Sequence, residues 1–254
     1  MTSFADLHHG DSPLLLPNAW DHASAVALAG MGFAAIGTTS LGVAAAAGLP
    51  DGAAATRELT LRLARTLGAE PFLLSVDAEG GFSDDPDEVG ELARELHAAG
   101  AAGINIEDGL GDAGLHAAKI SAAKSAAPGL FVNARTDTYW QGDGAGTLQR
   151  LDAYQQAGAD GVFVPGLSEP ATITSLVRSL DVPLNILYSP TGPTLAQLGD
   201  LGVRRVSLGS LPYRRALGAA LEAVADIRAG RPPRGPTPAY DEVAALSPPE
   251  AAFP

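Results

Sequence analysis

The stretch "PFLLSVDAEGGFSDDPDEVGELARELHAAG", residues 71–100, contains one complete strand-and-helix unit. Its first six residues form an apolar run typical of a buried strand, and residues 86–100 repeat apolar positions at the spacing of an amphipathic helix. Directly after the apolar run stand two acids, Asp77 and Glu79, followed at once by two glycines. The stretch therefore predicts a strand that ends in polar residues before the chain turns back as a helix.

The same unit recurs along the chain at intervals of roughly 25 to 30 residues, the size of one strand, one helix and their connections. The helical stretches that follow the strands are 23–31, 56–67, 86–100, 115–126, 146–158, 171–180, 194–202 and 215–230. The predicted strands are 13–17, 33–37, 71–76, 102–106, 130–134, 161–165, 183–187 and 203–208.

Eight apolar strands that alternate with helices predict an α/β fold, a closed parallel (β/α)8 or TIM barrel. A doubly wound sheet is the competing architecture, but it usually carries a glycine-rich turn after its first strand, where this chain reads "PNAWDHAS" (17–24). We expect a single barrel domain over residues 1–230. Residues 231–254 are proline-rich and are predicted to form an arm that is disordered or docks on a neighbouring subunit.

Composition narrows the classes of function. The chain has 254 residues, and 29 acids against 16 bases give a net charge of -13, which disfavours binding to nucleic acid or to an anionic membrane. It contains no cysteine, which excludes disulfides, thiolate zinc sites and a cysteine nucleophile. We expect a cytoplasmic protein that binds a small molecule, and an anionic substrate would need concentrated positive charge at its site.

Acids gather where the third and fourth predicted strands end. Alternation directs Asp77 and Glu79 to the same side, and "NIEDG" adds Glu107 and Asp108 at the equivalent height. Neighbouring carboxylates repel one another unless they share a proton or a cation. The group predicts a hard divalent ion held by oxygen ligands and water, Mg2+ with Mn2+ as the alternative. The other interpretation is that these acids cap the following helices or pair with arginines.

Other strand ends supply groups that suit an anionic substrate. Arg135, in "NARTD", could hold a carboxylate or a developing oxyanion, or it could form a structural ion pair with one of the nearby acids. After the second strand, Thr39, Ser40 and Leu41 could turn backbone N–H groups toward an anion at the start of a short helix. The seventh strand offers Asn185 as a polar wall group.

Five stretches together resemble the isocitrate lyase/phosphoenolpyruvate mutase family, and they occur in that family's order. The resemblance implies a (β/α)8 barrel that binds Mg2+ and a 2-oxo or 2-hydroxy carboxylate and breaks C–C or P–C bonds through an enolate-like species. The stretches are "PNAWDHASAVALAGMGFAAIGTTSLGVAAAAGLPDG" (17–52), "VDAEGGFSDDPDEV" (76–89), "AAGINIEDG" (101–109), "FVNARTD" (131–137) and "AGADGVFVPG" (157–166).

The resemblance also implies roles for individual residues. Asp77 matches the principal metal carboxylate, Glu79 and Glu107 match acids that hold the ion through water, and Asp51 matches an acid close to the metal. Arg135 matches the arginine that grips the substrate. The predicted site residues are Asp51, Arg135 and Glu107 for catalysis; Thr39, Ser40, Leu41, Asp77, Arg135 and Asn185 for substrate binding; and Asp77, Glu79 and Glu107 for the metal.

The departures from the family pattern decide which reaction to expect. Family members that cleave isocitrate carry a cysteine on the loop after the fourth strand, and mutase relatives carry Lys and Asn there, whereas this loop reads "EDGLGDAGLHAAK" (107–119). We therefore expect a Mg2+-dependent carbon–carbon lyase that decarboxylates or cleaves a small 2-oxo or 2-hydroxy dicarboxylate such as oxaloacetate. The alternatives are a P–C bond hydrolase or mutase acting on a phosphonopyruvate-like substrate, and a non-catalytic 2-oxo acid binder.

Assembly is a further implication of the resemblance. Relatives form tetramers in which the last helix packs on a neighbour's barrel. We accordingly expect a homo-oligomer, a tetramer or a dimer, in which residues 210–229 are exchanged between subunits.

Overall fold

The structure, a computed structural model, describes residues 3–247. Nine parallel strand segments form one sheet that curls into a barrel. Their lengths, three to seven residues for all but one, are those of barrel strands buried on both faces. The strands are β1 (Leu14–Leu16), β2 (Asn18–Ala19), β3 (Ala35–Thr38), β4 (Leu73–Asp77), β5 (Ala101–Glu107), β6 (Phe131–Arg135), β7 (Gly161–Val164), β8 (Leu184–Leu187) and β9 (Arg205–Ser207).

The first two segments are one strand interrupted by Pro17. Proline has no N–H to donate to a neighbouring strand, so the ladder breaks at this residue. On one side of the break β1 pairs with β9, and on the other side β2 pairs with β3. The Pro17 carbonyl still accepts a hydrogen bond from the Gly37 N–H at 2.8 Å. The barrel therefore closes through this broken strand, and the predicted (β/α)8 fold is confirmed.

Helices cover the outside of the barrel, and each predicted helix is present. Several begin at side-chain caps: Asp85 accepts a hydrogen bond from the backbone N–H of Asp87, and Thr194 and Gln197 cap each other reciprocally. The helices are α1 (His22–Gly30), α2 (Ser40–Ala47), α3 (Arg57–Leu67), α4 (Pro86–Ala98), α5 (Ala113–Ala126), α6 (Thr147–Gln156), α7 (Pro170–Ser179), α8 (Leu195–Asp200), α9 (Leu211–Arg228) and α10 (Tyr240–Ala244).

The N-terminal segment closes the lower end of the barrel, opposite the carboxyl ends of the strands. Phe4 packs edge-on against Phe131, and His8 stacks on the same ring with centroids 4.3 Å apart. A Cβ atom added at Gly103 would lie 2.8 Å from the Phe4 ring, so only glycine leaves room for this plug. One end is thus sealed by aromatic rings, and access to the interior is from the other end.

The C-terminal helix α9 differs from the others because most of its surface faces solvent. Beyond it, Arg231 and Arg234 turn back to pair with Asp226 of the same helix, with closest approaches of 2.6 Å and 3.1 Å. The arm predicted for 231–254 contains α10, and its last seven residues, 248–254, lie outside the described residues. The division at residue 230 stays a prediction. No helix within residues 3–247 combines the length and apolarity needed to cross a bilayer.

Candidate active site

A cavity of about 190 Å³ opens at the carboxyl ends of the barrel strands. This is the end at which barrel enzymes carry their chemistry. The cavity brings together residues from separate strands and loops that the sequence analysis had singled out one at a time. Six of the predicted site residues line it: Thr39, Ser40, Leu41, Asp51, Asp77 and Arg135.

Asp77 is the last residue of β4, and its carboxylate is held in place from two sides. Oδ2 accepts a hydrogen bond of 3.0 Å from the backbone N–H of Ser40, the first residue of α2, and Oδ1 lies 3.4 Å from the Asn105 side-chain amide. The Asp77 N–H donates to the Thr38 hydroxyl at 2.8 Å. The positive end of the α2 dipole stabilises the ionised carboxylate. Asp77 is therefore a fixed anion on the cavity wall.

Arg135 ends β6 and is bound by two carboxylates. Its Nη1 lies 2.6 Å from Glu107 Oε2, and its Nε donates to Asp137 Oδ1 at 2.6 Å. Within residues 3–247, Nη2 has no protein acceptor, and the side chain lines the cavity. The structural ion pair expected from sequence is thus present, and Nη2 is left without a partner among the described residues, on a side chain that lines the cavity.

Glu107 interacts electrostatically with several other acids as well as with Arg135. Burial raises its pKa to about 8; the adjacent Arg135 opposes this rise, and Asp77, Asp137 and Asp51 add to it. Glu107 itself is not among the residues that line the cavity. Burial is thus the main cause of the raised pKa of Glu107, and the neighbouring acids contribute a smaller part.

The donor set fits a hard divalent cation. Asp51 and Asp77 both line the cavity, and an ion between them would offset the mutual repulsion of these carboxylates. In the part of the chain that is described, no three acidic or histidine side chains lie close enough together to coordinate one metal ion directly. An ion would therefore take one or two carboxylates directly and fill its remaining positions with water, which is the habit of Mg2+.

Besides Glu107, two more predicted residues, Glu79 and Asn185, lie outside the cavity lining. Glu79 is buried in left-handed conformation (φ 49°), and its carboxylate accepts hydrogen bonds from the Thr56 hydroxyl and the Ala54 N–H. Alternation failed there because β4 ends at Asp77. Asn185 is buried in the middle of β8 and pairs with the Ser207 hydroxyl at 2.9 Å, outside the cavity lining. Glu79 braces the loop that carries Asp51, and Asn185 braces Ser207, which does line the cavity.

The expectation that Asp108 stands beside Glu107 on the rim is wrong. Its carboxylate is fully enclosed and accepts hydrogen bonds from the Tyr154 hydroxyl at 2.7 Å, the Thr136 hydroxyl at 2.8 Å and Arg150 Nη1 at 3.0 Å. Although burial opposes it, these bonds hold the pKa of Asp108 below its usual value. Asp108 anchors the loop after β5, and Arg150 strengthens the anchor by donating to the Gly111 carbonyl.

Sequence reasoning missed three residues of the site. Asp137 lies two positions after Arg135, beyond the end of β6, where alternation no longer holds, but an acid so close to a strand-end arginine is itself a candidate ion-pair partner. Arg205 lies inside a predicted strand, where a charged residue with buried neighbours is itself a signal. Trp140 lines the cavity from the irregular loop after β6, and no sequence pattern indicated that position.

Comparison with known proteins adds an independent line of observation. The family model described as phosphoenolpyruvate phosphomutase matches residues 4–228. An uncharacterized protein of Mycobacterium tuberculosis is 48% identical over 235 residues, which are 90% of this chain and 90% of that protein. An oxaloacetate decarboxylase of Rhodopseudomonas palustris (strain TIE-1) is 32% identical over 213 residues, 75% of this chain and 71% of the relative.

A solved structure shows the same likeness in three dimensions. A candidate lyase/mutase from Burkholderia cenocepacia J2315 superposes with a TM-score of 0.86 at 34% sequence identity. The match covers 97% of this chain and 95% of that chain. The similarity thus extends over the barrel and most of the C-terminal region.

Proposed function

The chain belongs to the phosphoenolpyruvate phosphomutase family, which includes the isocitrate lyases, and from this premise we propose that it is a Mg2+-dependent carbon–carbon lyase. Its substrate is a small 2-oxo or 2-hydroxy dicarboxylate, and oxaloacetate is the first to test. The observation that carries the proposal is the joint placement of Asp51, Asp77 and Arg135 on one cavity, two anions for a cation and one cation for a carboxylate.

The residues of the chain divide the work of binding. Asp77 and Asp51 would hold the ion, and Thr39, Ser40 and Leu41 at the start of α2 would receive a carboxylate of the substrate. A divalent ion held by these residues would supply Lewis-acid polarisation of the 2-oxo group. The net charge of -13 is no obstacle, because the positive charge is concentrated at the site.

Arg135 is built to stabilise negative charge as it develops on the substrate. Glu107 and Asp137 fix its Nη1 and Nε, so that Nη2 is held ready without further loss of side-chain freedom. Such preorganised donors contribute much of the rate enhancement in enzymes that form oxyanions. Decarboxylation then needs only a proton for the enolate carbon, and water entering the open end of the cavity can supply it.

The absence of cysteine favours this chemistry over cleavage by a cysteine acid. Loss of CO2 from a 2-oxo diacid requires an electron sink rather than a strong base, and Asp77 with Arg135 provides for that sink. The relative named as an oxaloacetate decarboxylase supports the same choice of substrate.

The proposal is tested by following oxaloacetate loss and pyruvate formation with purified protein and Mg2+, against Mg2+ without protein. We expect a rate well above that of the ion alone, its loss on chelation, and a fall in kcat/KM of about 100-fold or more in Asp77→Asn, because one ligand of the ion is removed. The control is Asp200→Asn, which makes the same chemical change at an exposed position of α8 and should leave the rate unchanged.

Three results would contradict the proposal. A rate equal to that of Mg2+ alone, unaffected by Asp77→Asn, would exclude lyase activity on this substrate. Release of phosphate from phosphonopyruvate in place of pyruvate from oxaloacetate would assign P–C bond chemistry. Thermal stabilisation by oxaloacetate without turnover would assign a binding protein.

A further inference from the structure

Arg205 places a second guanidinium inside the barrel. It is the first residue of β9, its side chain is buried, and it reaches across the interior to the Ser75 hydroxyl of β4 at 3.4 Å. Its Nε lies 3.3 Å from the Ser207 hydroxyl, and its guanidinium carbon is 5.9 Å from the Phe4 ring centroid. Among residues 3–247, its Nη1 is buried with no hydrogen-bond partner.

No acid within the described residues 3–247 forms an ion pair with this charge. All the hydrogen bonds made by the guanidinium go to neutral hydroxyls, and the carboxylate that acts on it through space is that of Asp77. Burial lowers the pKa of Arg205 to about 9, with Asp77 opposing the change, so the group stays charged at neutral pH. A buried, unpaired cation is costly, and proteins seldom keep one without a use for it.

The position of Arg205 relative to the proposed metal site follows from the strand geometry. Ser75 precedes Asp77 by two residues on β4, so the two side chains point to the same side, one layer apart, at a rise of about 6.6 Å. Asp77, Arg135, Ser75 and Arg205 all line the same cavity. The cavity therefore has two levels. Asp77 and Arg135 lie at the upper level, where the proposed function places the ion and one carboxylate, and Arg205 forms a cationic floor. The length of a short carbon chain separates the two levels.

We propose that Arg205 binds the second carboxylate of the substrate and so restricts the site to diacids. The 2-oxo or 2-hydroxy acid end lies at Asp77 and Arg135, as the proposed function requires, and the distal carboxylate lies at the floor against Nη1 of Arg205. Arg205 has more need of an anionic partner when an ion is bound at Asp77, because the ion would neutralise the carboxylate that otherwise balances the charge of Arg205. The unpartnered N–H is then satisfied by a charge-assisted hydrogen bond.

The test compares two stable acids that share a 2-hydroxy acid end, malate with a distal carboxylate and lactate without one. Calorimetric titration in the presence of Mg2+ should give tighter binding of malate to the wild type. In Arg205→Met, malate affinity should fall roughly 10- to 100-fold, the range for one charge-assisted hydrogen bond, and lactate affinity should not change. Arg204→Met is the matched control, because Arg204 adjoins Arg205 but is exposed and contacts the Gly10 carbonyl.

Thermal unfolding without ligand separates binding from a structural role. A buried cation kept for a ligand costs stability, so Arg205→Met should unfold at an unchanged or higher temperature than the wild type. A lower unfolding temperature with equal losses for both acids would show a structural residue and overturn the inference, as would an unchanged preference for malate. Arg205→Lys, which keeps the charge, should retain part of the preference.

The outcomes distinguish this inference from the proposed function. Lyase activity with a malate preference that does not depend on Arg205 would overturn the inference and leave the function standing. A malate preference that depends on Arg205, in a protein that never turns over oxaloacetate, would support the inference and remove the function. The wild type could instead bind malate and lactate equally and be stabilised against thermal unfolding by chloride or phosphate alone. That result would show an inorganic anion site and overturn the inference.

Discussion

At the scale of single residues, the chemistry depends on how the Arg135 guanidinium is oriented. Glu107 and Asp137 each hold one nitrogen at 2.6 Å, a forked arrangement that only a planar guanidinium satisfies. Lysine carries the same charge but offers one compact donor head. We therefore expect Arg135→Lys to lower kcat for oxaloacetate by about 100- to 1000-fold, the cost of losing one preorganised oxyanion donor.

The measurement is a steady-state comparison that separates kcat from KM. The control is Arg94→Lys, because Arg94 is an exposed arginine on α4 that pairs with Glu91, and the change should leave both parameters near the wild-type values. A normal kcat with only a raised KM in Arg135→Lys would show that Arg135 binds the ground state and adds nothing at the transition state.

A second prediction at this scale concerns His8 and acid stability. His8 is buried against Phe4 and Phe131, its Nδ1 donates to the Phe4 carbonyl, and its Nε2 is buried without a partner. Burial lowers its pKa to about 3 from 6.5, and the nearby charge of Arg205 adds to the effect. The imidazole is thus neutral in the folded protein and takes up a proton on unfolding below pH 6.5.

The direction of the pH effect on stability follows from the number of protons that the folded and unfolded chains bind. Because the unfolded chain binds the extra proton, the free energy of unfolding falls as the pH drops from 6.5 toward 3, by up to about 1.4 kcal/mol per pH unit for this group. Chemical denaturation across that range should give a shallower fall for His8→Leu than for the wild type. His9→Leu, at the exposed neighbouring position, should keep the wild-type slope, and equal slopes for all three proteins would contradict the assignment.

At the scale of the elements, the apolar runs predicted each strand because strands buried on both faces carry no other pattern. The structure departs from the pattern where local geometry decides. Pro17 splits the first predicted strand into β1 and β2. The sequence showed that acids cluster near strand ends, but which acid faces the cavity depends on the residue at which a strand stops. Asp77 is within β4 and faces inward, whereas Glu79 is beyond it and faces Thr56.

The positions of the Asp108 and Arg205 side chains could not be predicted from sequence for the same reason. Asp108 directly follows Glu107 but lies beyond the end of β5, and its carboxylate contacts Tyr154 and Arg150 instead of the cavity. Arg205 could be located on a strand from sequence, but its partners, Ser75 and Phe4, come from distant parts of the chain. Contacts across the barrel interior depend on register, and an isolated sequence does not display register.

At the scale of the whole molecule, helix α9 presents an apolar surface that the barrel does not cover. Leu217, Leu221 and Val224 recur at helical spacing, Ile227 adjoins them, and all four are between 50% and 66% exposed. Apolar patches of this kind mark an interaction surface in proteins that stay in solution. We propose that a second copy of the chain covers α9, as the expected exchange of residues 210–229 requires.

The consequence is a wild-type homo-oligomer, a dimer or a tetramer, whose association is lost when α9 becomes charged. Leu221→Asp places an acid in the middle of the apolar surface, where assembly would have to bury it, and we expect light scattering after size-exclusion chromatography to report a monomer. Leu148→Asp makes the same change on α6, at a leucine that is also exposed, and should leave the assembly intact. A wild-type chain that scatters as a monomer, or a Leu221→Asp variant that assembles as the wild type does, would show that α9 has no partner of its own kind.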